Sequence, residues 1–341
     1  MTSPARWLTC APRDFAGNEE FFARDTGLLC RGLQQAGVEC RAVLAGEPRP
    51  DDAPDLIRAS LATLEARKIA VRAVFEAAQV VVLHTWSSKE FSRVLRAIKE
   101  AGSRVILLQD GTGVTGPLGT WRDWVRESWY LRQRHGRLRG FLWFATRMIH
   151  GHTLRLLRFE KDRFEQFALA DKIVVPSPGA LEGYRKLCRG EAGKLCFLPH
   201  PVASRFRWEG TPQKENLIVA IGRWSDFWPK RPDLLAAALQ QCLAKRPEWR
   251  AEIYGEPASL ADWHRGLEPA LATRIRLVGR VPNRQVGEAL GRARVILCSS
   301  AHESFHMSSG EALCSGASVV GTDSPLLPSL RWFVSAESGS L

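Results

Sequence analysis

Short runs of Val, Ile and Leu alternate along the chain with longer stretches of helical period. Residues 41–45, 80–84, 104–109, 172–175 and 195–198 read as strands, as do 217–221, 251–254, 274–278, 294–298 and 318–321. Helical stretches fit 21–36, 55–78, 89–101, a long element within 121–169, and 178–188. In the second half they fit 232–245, 258–272, 283–292 and 308–315. Near-continuous apolar strands alternating with helices predict parallel sheets covered on both faces, the α/β class.

The alternation pauses once. From Pro199-His200-Pro201 to Thr211-Pro212 the chain is Pro-rich and has no hydrophobic period. This predicts a domain over 1–205, a linker at 206–212, and a second parallel α/β domain over 213–341. Two such domains place function in the loops that follow their strands.

The length, 341 residues, suits two domains of about 100–200 residues each, and excludes a disulfide-dependent miniature scaffold. No apolar run approaches the ~18–20 residues of a membrane span, and the start, MTSPARWLTCAPRD, lacks the apolar core of a signal peptide. The eight cysteines form no C-x-x-C pair and lie mostly in apolar stretches, which reads as reduced thiols in a cytoplasmic protein. A net charge of +12 points to anionic partners, and segment 121–165 alone carries +6 among Trp121, Trp124, Trp129, Tyr130, Phe141, Trp143 and Phe144. A solvated helical face is the default for such a run. An interfacial helix on anionic lipid ranks second, and nucleic acid a distant third because no recognised module accompanies it.

Three motifs carry candidate chemistry. Gly111-Thr112-Gly113-Val114-Thr115-Gly116 is a literal G-x-G-x-x-G, but Pro117, Leu118 and Gly119 follow where a dinucleotide site needs a helix to open. A cleft loop is the better reading. His302-Glu303-Ser304-Phe305-His306 is a literal H-E-x-x-H, which binds zinc only if one helix spans all five positions. Strand and serines end immediately before it, and a helix begins more naturally after Met307, capped by Ser308 or Ser309 with Glu311 in its first turn. The third reading takes Glu303 and Glu311, eight apart, as holders of sugar and ribose hydroxyls, with the helix N-terminus receiving a diphosphate. Two isolated glutamates would be weak evidence. Gly222-Arg223 after strand LIVAI, and Lys230 at the next helix, add cations that could neutralise a departing diphosphate.

With these residues the chain resembles retaining glycosyltransferases of family 4, the glycosyl transferases group 1 family with the GT-B fold. The resemblance runs through IGRWSDFWPKRPDLL, EIYGEP, LVGRVPNRQVGEAL and RVILCSSAHESFHMSSGEALCSGASVVGTD, in family order over about 110 residues. It implies two Rossmann-like domains facing across a cleft, the C-terminal one binding a nucleotide-diphosphate sugar as co-substrate and the N-terminal one a glycan or lipid-linked acceptor. On the donor side it assigns Arg223, Lys230 and Glu303 catalytic roles and donor contacts to Gly222, Gly255, Val281, Phe305, His306, Met307, Ser308 and Glu311. On the acceptor side it points to Gly17 and Asn18, and to His84 and Asp110 at two strand ends. The implied chemistry is retaining, with the donor phosphate accepting the acceptor's proton, and needs no metal or cofactor. The implied setting is the cytoplasm, at the inner face of the membrane if 121–165 touches lipid.

There are departures from the family. His306 stands where it usually has Gly, Arg223 and Lys230 are spaced slightly wider than usual, and the chain stops at Ser338-Gly339-Ser340-Leu341 where the family continues into further helices. A fragment is therefore expected. The alternatives are a zinc hydrolase using His302, Glu303 and His306, a catalytically silent GT-B binding protein, and a nucleotide-sugar epimerase on the same fold.

Overall fold

The computed structural model describes residues 6–11, 21–60, 74–75, 78–85, 89–111, 125, 136–149, 155–210, 213–225, 227–323 and 327–333. They fall into two compact units, one holding the described residues of 1–116 and 149–201, the other those of 117–148 and 202–341.

In the first unit, in chain order, come β1 (Trp7–Ala11), α1 (Asp25–Gln35), β2 (Cys40–Ala45), β3 (Leu56–Ala59), β4 (Val80–Thr85), α2 (Lys89–Glu100) and β5 (Arg104–Gln109). After α3 (Arg137–Ile149), all but the last residue of which belongs to the second unit, come α4 (Arg155–Leu169), β6 (Lys172–Val175), α5 (Pro178–Leu187) and β7 (Leu195–Phe197). The strands pair in the order β3-β2-β1-β4-β5-β6-β7, every pair parallel. The inner strands are covered on both faces, which is why their runs are mostly apolar. On one face Cys10, Val43, Leu83, Leu107 and Ile173 pack with Val94, Leu95 and Ile98 of α2 and with Phe167 and Tyr184. On the other, Ala42 and Leu44 pack with Phe21 and Cys30. The α2 residues Phe91, Val94, Leu95 and Ile98 are all buried, the i, i+3, i+4, i+7 stripe of a surface helix, at about 2 kcal/mol for each large side chain.

The second unit continues with β8 (Glu215–Ile221), α6 (Phe227–Lys230), α7 (Pro232–Lys245), β9 (Arg250–Tyr254), α8 (Ala258–Arg265), α9 (Pro269–Ala272) and β10 (Ile275–Gly279). It closes with α10 (Asn283–Arg292), β11 (Ala293–Cys298), α11 (Met307–Cys314), β12 (Ser318–Gly321) and α12 (Pro328–Phe333). The order is β10-β9-β8-β11-β12, again all parallel. Residues 202–208 pack on this unit: Phe206 is buried, and Trp208 N–H donates to the Cys314 carbonyl at 2.9 Å.

Each sheet reverses its winding beside its first strand, between β1 and β4 and between β8 and β11. In open α/β sheets a crevice forms at the carboxyl ends of the strands at such a switch point. It is there that the polar residues of both units gather.

Two predicted helices are corrected. The stretch 55–78 contains strand β3, whose Arg58, a basic residue that broke the strand pattern, is buried with its Nε ion-paired to Asp52 at 2.6 Å. The stretch 258–272 is two helices, because Gly266 caps the first and Pro269 opens the next. Within 121–169 the described helices are α3 and α4. No disulfide joins the eight cysteines, of which Cys196, Cys242 and Cys314 are exposed rather than buried.

Candidate functional site

The second unit builds its site from two loops at its switch point. After β8, Gly222 N–H donates to the Tyr254 carbonyl at 3.2 Å, and the buried Trp224 indole donates to the same oxygen at 2.9 Å. Ser259 Oγ holds the Trp224 carbonyl at 2.7 Å. Gly255, at φ +102°, lies so close to the Gly222 carbonyl that a Cβ there would collide with it, and its N–H donates to Gly279 at 2.8 Å. Glycine is thus required at 255 both by backbone conformation and by close approach. Arg223 is exposed beside this knot, and Val281, after β10, is partly exposed.

Lys230 ends α6, and the chain then turns through Arg231 at φ 50°, ψ 61° before Pro232 opens α7. A residue before proline is pushed out of the right-handed helical region, and among the described residues Arg231 alone, apart from glycines, takes positive φ. The turn lets the Lys230 carbonyl accept from Ser299 Oγ at 2.9 Å and Pro229 from the Ala301 N–H at 2.8 Å. Lys230 Nζ itself donates to Glu303 Oε1, which also receives Ser300 Oγ at 2.9 Å. Both charged side chains are largely buried, at 14% and 17% exposure. Burial alone would raise the Glu303 carboxyl; Lys230, His306 and the Ser300 hydroxyl together hold it below its ordinary value.

The H-E-x-x-H residues form the loop between β11 and α11, so no helix presents His302 and His306 on one face. His306 instead precedes α11 with its ring buried, its Nδ1 2.6 Å from Ser309 Oγ, and its N–H donating to Ser329 Oγ at 3.3 Å. Burial pushes its imidazole down to about 4, against the pull of Glu303. The predicted serine cap is therefore corrected: the helix starts at Met307, Ser309 binds the His306 ring, and Glu311 falls in the second turn, partly exposed beside Met307 and Ser308. Phe305 is buried edge-on against Phe333, with centroids 5.3 Å apart. Among the described residues no group of three His, Cys, Asp or Glu could hold a metal ion.

The first unit gathers a separate polar cluster. His84, near the end of β4, has Nδ1 2.9 Å from Thr26 Oγ1 and 3.4 Å from Asp25 Oδ2. Its Nε2 lies 4.0 Å from Asp110 Oδ2, just past β5, and its ring centroid 5.9 Å from that of His200. Burial would raise the Asp25 carboxyl; facing His84 and His200, and accepting the Thr26 N–H, it is held below its usual range. Burial pushes His200 down, outweighing Asp110 and Asp25. The structure thus brings the predicted His84 and Asp110 together and adds Asp25, Thr26 and His200, which sequence reasoning missed. Gly17 and Asn18 lie outside the described residues, as does the G-x-G-x-x-G run after Gly111.

With this geometry in view, the relatives become informative. Residues 215–331 match the family described as glycosyl transferases group 1. No curated protein matches the chain by sequence. Among solved structures, sucrose-phosphate synthase from Thermosynechococcus elongatus superposes with a TM-score of 0.61 at 14% identity, over 98% of this chain and 84% of that one. WaaG, a glycosyltransferase involved in lipopolysaccharide biosynthesis, gives 0.58 at 14%, over 98% and 85%. An α,α-trehalose-phosphate synthase (UDP-forming) from Burkholderia vietnamiensis gives 0.58 at 10%, over 96% and 84%. At these identities the likeness shows the fold: two parallel-sheet α/β domains of the GT-B type.

Proposed function

We propose that the chain is a retaining, metal-independent glycosyltransferase of family 4, moving a sugar from a nucleotide-diphosphate sugar to a glycan or lipid-linked acceptor. The observation that carries this reading is the Lys230–Glu303 pair at the switch point of the unit that matches the family. Lys230 and the exposed Arg223 supply the positive charge a departing diphosphate needs, so no metal ion is called for. The N-terminal amides of α11 add to it, and Glu311 and Glu303 accept from ribose and sugar hydroxyls. The protein's work is then positioning and electrostatic stabilisation, while a donor phosphate oxygen takes the acceptor's proton on the face the leaving group vacates. Loss of either cation would cost about 2–4 kcal/mol of barrier.

The acceptor falls to the first unit, with His84 and Asp110 at its strand ends. Exposed Leu138, Phe141 and Leu142 on α3, beside Arg137 and Arg139, favour contact with an anionic membrane surface on the cytoplasmic side. No described helix is long and apolar enough to cross a membrane.

Thermal unfolding with UDP, GDP and ADP in excess chelator tests the donor site. A nucleotide at 100 times its dissociation constant should add about 2.7 kcal/mol to the unit that binds it. One nucleotide should raise the melting temperature, and Glu311→Ala should abolish the rise. No rise with any of the three would overturn the reading.

A further inference from the structure

Lys230 is aimed by the residue that follows it. Arg231, at φ 50°, stands in the left-handed region, where the β-carbon of an L-residue comes too near the following carbonyl oxygen. Such a conformation persists only where the surroundings impose it. Here they act from both sides. Ahead of the turn, the Pro229 carbonyl accepts the Ala301 N–H at 2.8 Å and the Lys230 carbonyl accepts Ser299 Oγ at 2.9 Å, which ties both residues to the loop that carries Glu303. Behind it, the Arg231 carbonyl accepts the Leu234 and Leu235 N–H groups at 3.1 Å each, and α7 is anchored in the core by Leu235, Leu239 and Leu243. The Arg231 side chain makes no helix cap. It reaches over Pro232 instead: Nε donates to Asp233 Oδ1 and Nη2 to Oδ2, both at 2.9 Å. A two-bond fork between guanidinium and carboxylate fixes direction as well as distance, and keeps its worth at a partly exposed site where a single ion pair would not.

We propose that Arg231 and Asp233 are positioning residues: their fork holds residue 231 in the left-handed turn, and the turn delivers the Lys230 ammonium to Glu303 and to the diphosphate of the donor. The diphosphate rests on the glycosyl-transfer reading; the delivery to Glu303 does not. Were residue 231 to relax to the extended region that a residue before proline prefers, the peptide joining 230 and 231 would rotate relative to α7. The Lys230 carbonyl could not then stay on Ser299 while α7 stays in the core. Glycine meets no such penalty at positive φ, so the fork is needed only because residue 231 bears a side chain. That dependence separates positioning from direct contact, because glycine cannot replace an arginine that binds the phosphate itself.

The test uses the full chain with UDP, GDP and ADP in turn, each titrated against melting temperature to give a dissociation constant. Asp233→Asn and Arg231→Ala each remove the fork and keep a β-carbon at 231. For whichever nucleotide stabilises wild type, both should bind about tenfold more weakly, the difference between a charge-assisted and a neutral hydrogen bond. Arg231→Gly should bind within about threefold of wild type, since glycine adopts the turn unaided. Added to Asp233→Asn, it should restore the lost binding. Equal binding by wild type and Asp233→Asn would overturn the proposal, and so would an Arg231→Gly as weak as Arg231→Ala. Should the other variants fail to fold, a loss of about tenfold in Arg231→Gly alone overturns it. The coupling between Lys230 and Glu303, measured in denaturant by a cycle of Lys230→Met and Glu303→Gln, separates the two readings. It should be smaller in Asp233→Asn than in wild type, and return when Arg231→Gly is added. If wild type gains nothing from any nucleotide, the diphosphate falls with the glycosyl-transfer reading. The fork is then judged on this coupling, and an unchanged coupling overturns it.

Discussion

The carbonyl oxygen of Gly222 occupies the place where a side chain at residue 255 would begin. The two glycines end neighbouring strands, β8 and β9, and their close approach lets the Tyr254 carbonyl receive both Gly222 N–H and the Trp224 indole. The loop carrying Arg223 is fixed in place by this contact. Gly255→Ala meets both the strained φ and the backbone oxygen, neither of which a rotamer change relieves. We expect a loss of about 2–4 kcal/mol in urea unfolding of the second unit, together with the loss of any nucleotide-induced melting shift.

Lys230 and Glu303 shield each other from the cost of burial. Removing one partner strands the other, at about 3–5 kcal/mol for a fully buried pair and less here because both remain slightly exposed. Lys230→Met and Glu303→Gln should each destabilise the ligand-free protein, and the double variant should lose less than the sum. A double-mutant cycle by denaturant unfolding measures this, and strict additivity would contradict it.

Arg223 should behave differently. Its side chain is exposed, so Arg223→Ala should change unfolding free energy by no more than about 0.5 kcal/mol. The same variant should diminish the nucleotide-induced shift. If nucleotide stabilisation survives Arg223→Ala intact, Arg223 has no part in holding the diphosphate.

The buried imidazole of His306 predicts a pH window. Its folded-state value, about 4, lies below its ordinary 6.5. Between those values the unfolded chain binds the proton and the folded chain does not, so this residue's contribution is complete above about pH 6.5 and falls away as pH drops toward 4. A shift of this size is worth up to about 3 kcal/mol. His306→Asn, whose short amide can still meet Ser309, should flatten the pH dependence of stability across that window. Glu303 works in the same direction at lower pH: its value is depressed below 4.5, so its contribution is present above that and is lost as pH falls through the folded value.

Much of this architecture was legible because fully covered parallel strands leave an unbroken apolar signature: 172–175 and 318–321 are strands to the residue, and 232–245 and 283–292 are helices to the residue. β1 and β3 escaped for local reasons. WLTCA interrupts its apolar run with Thr9, and LIRA buries Arg58, whose ion pair to Asp52 cannot be seen from pattern alone. Glu303 and Lys230 could be named from motif spacing, but not their direct pairing, which depends on β8 and β11 lying side by side. Asp25 carried no motif at all, and its meaning comes only from His84, brought beside it when β4 pairs with β1.

The central place of β8 has a kinetic consequence. Its two neighbours, β9 and β11, arrive later in the chain, and β11 is separated from it by four helices and two strands beyond the turn of α6. During synthesis one edge of β8 stays open until nearly the whole unit has emerged. Pairings of such long range close slowly, and an open apolar edge invites association with other chains in the meantime. Interrupted synthesis or cleavage before β11 should therefore leave an aggregating product rather than a smaller folded one.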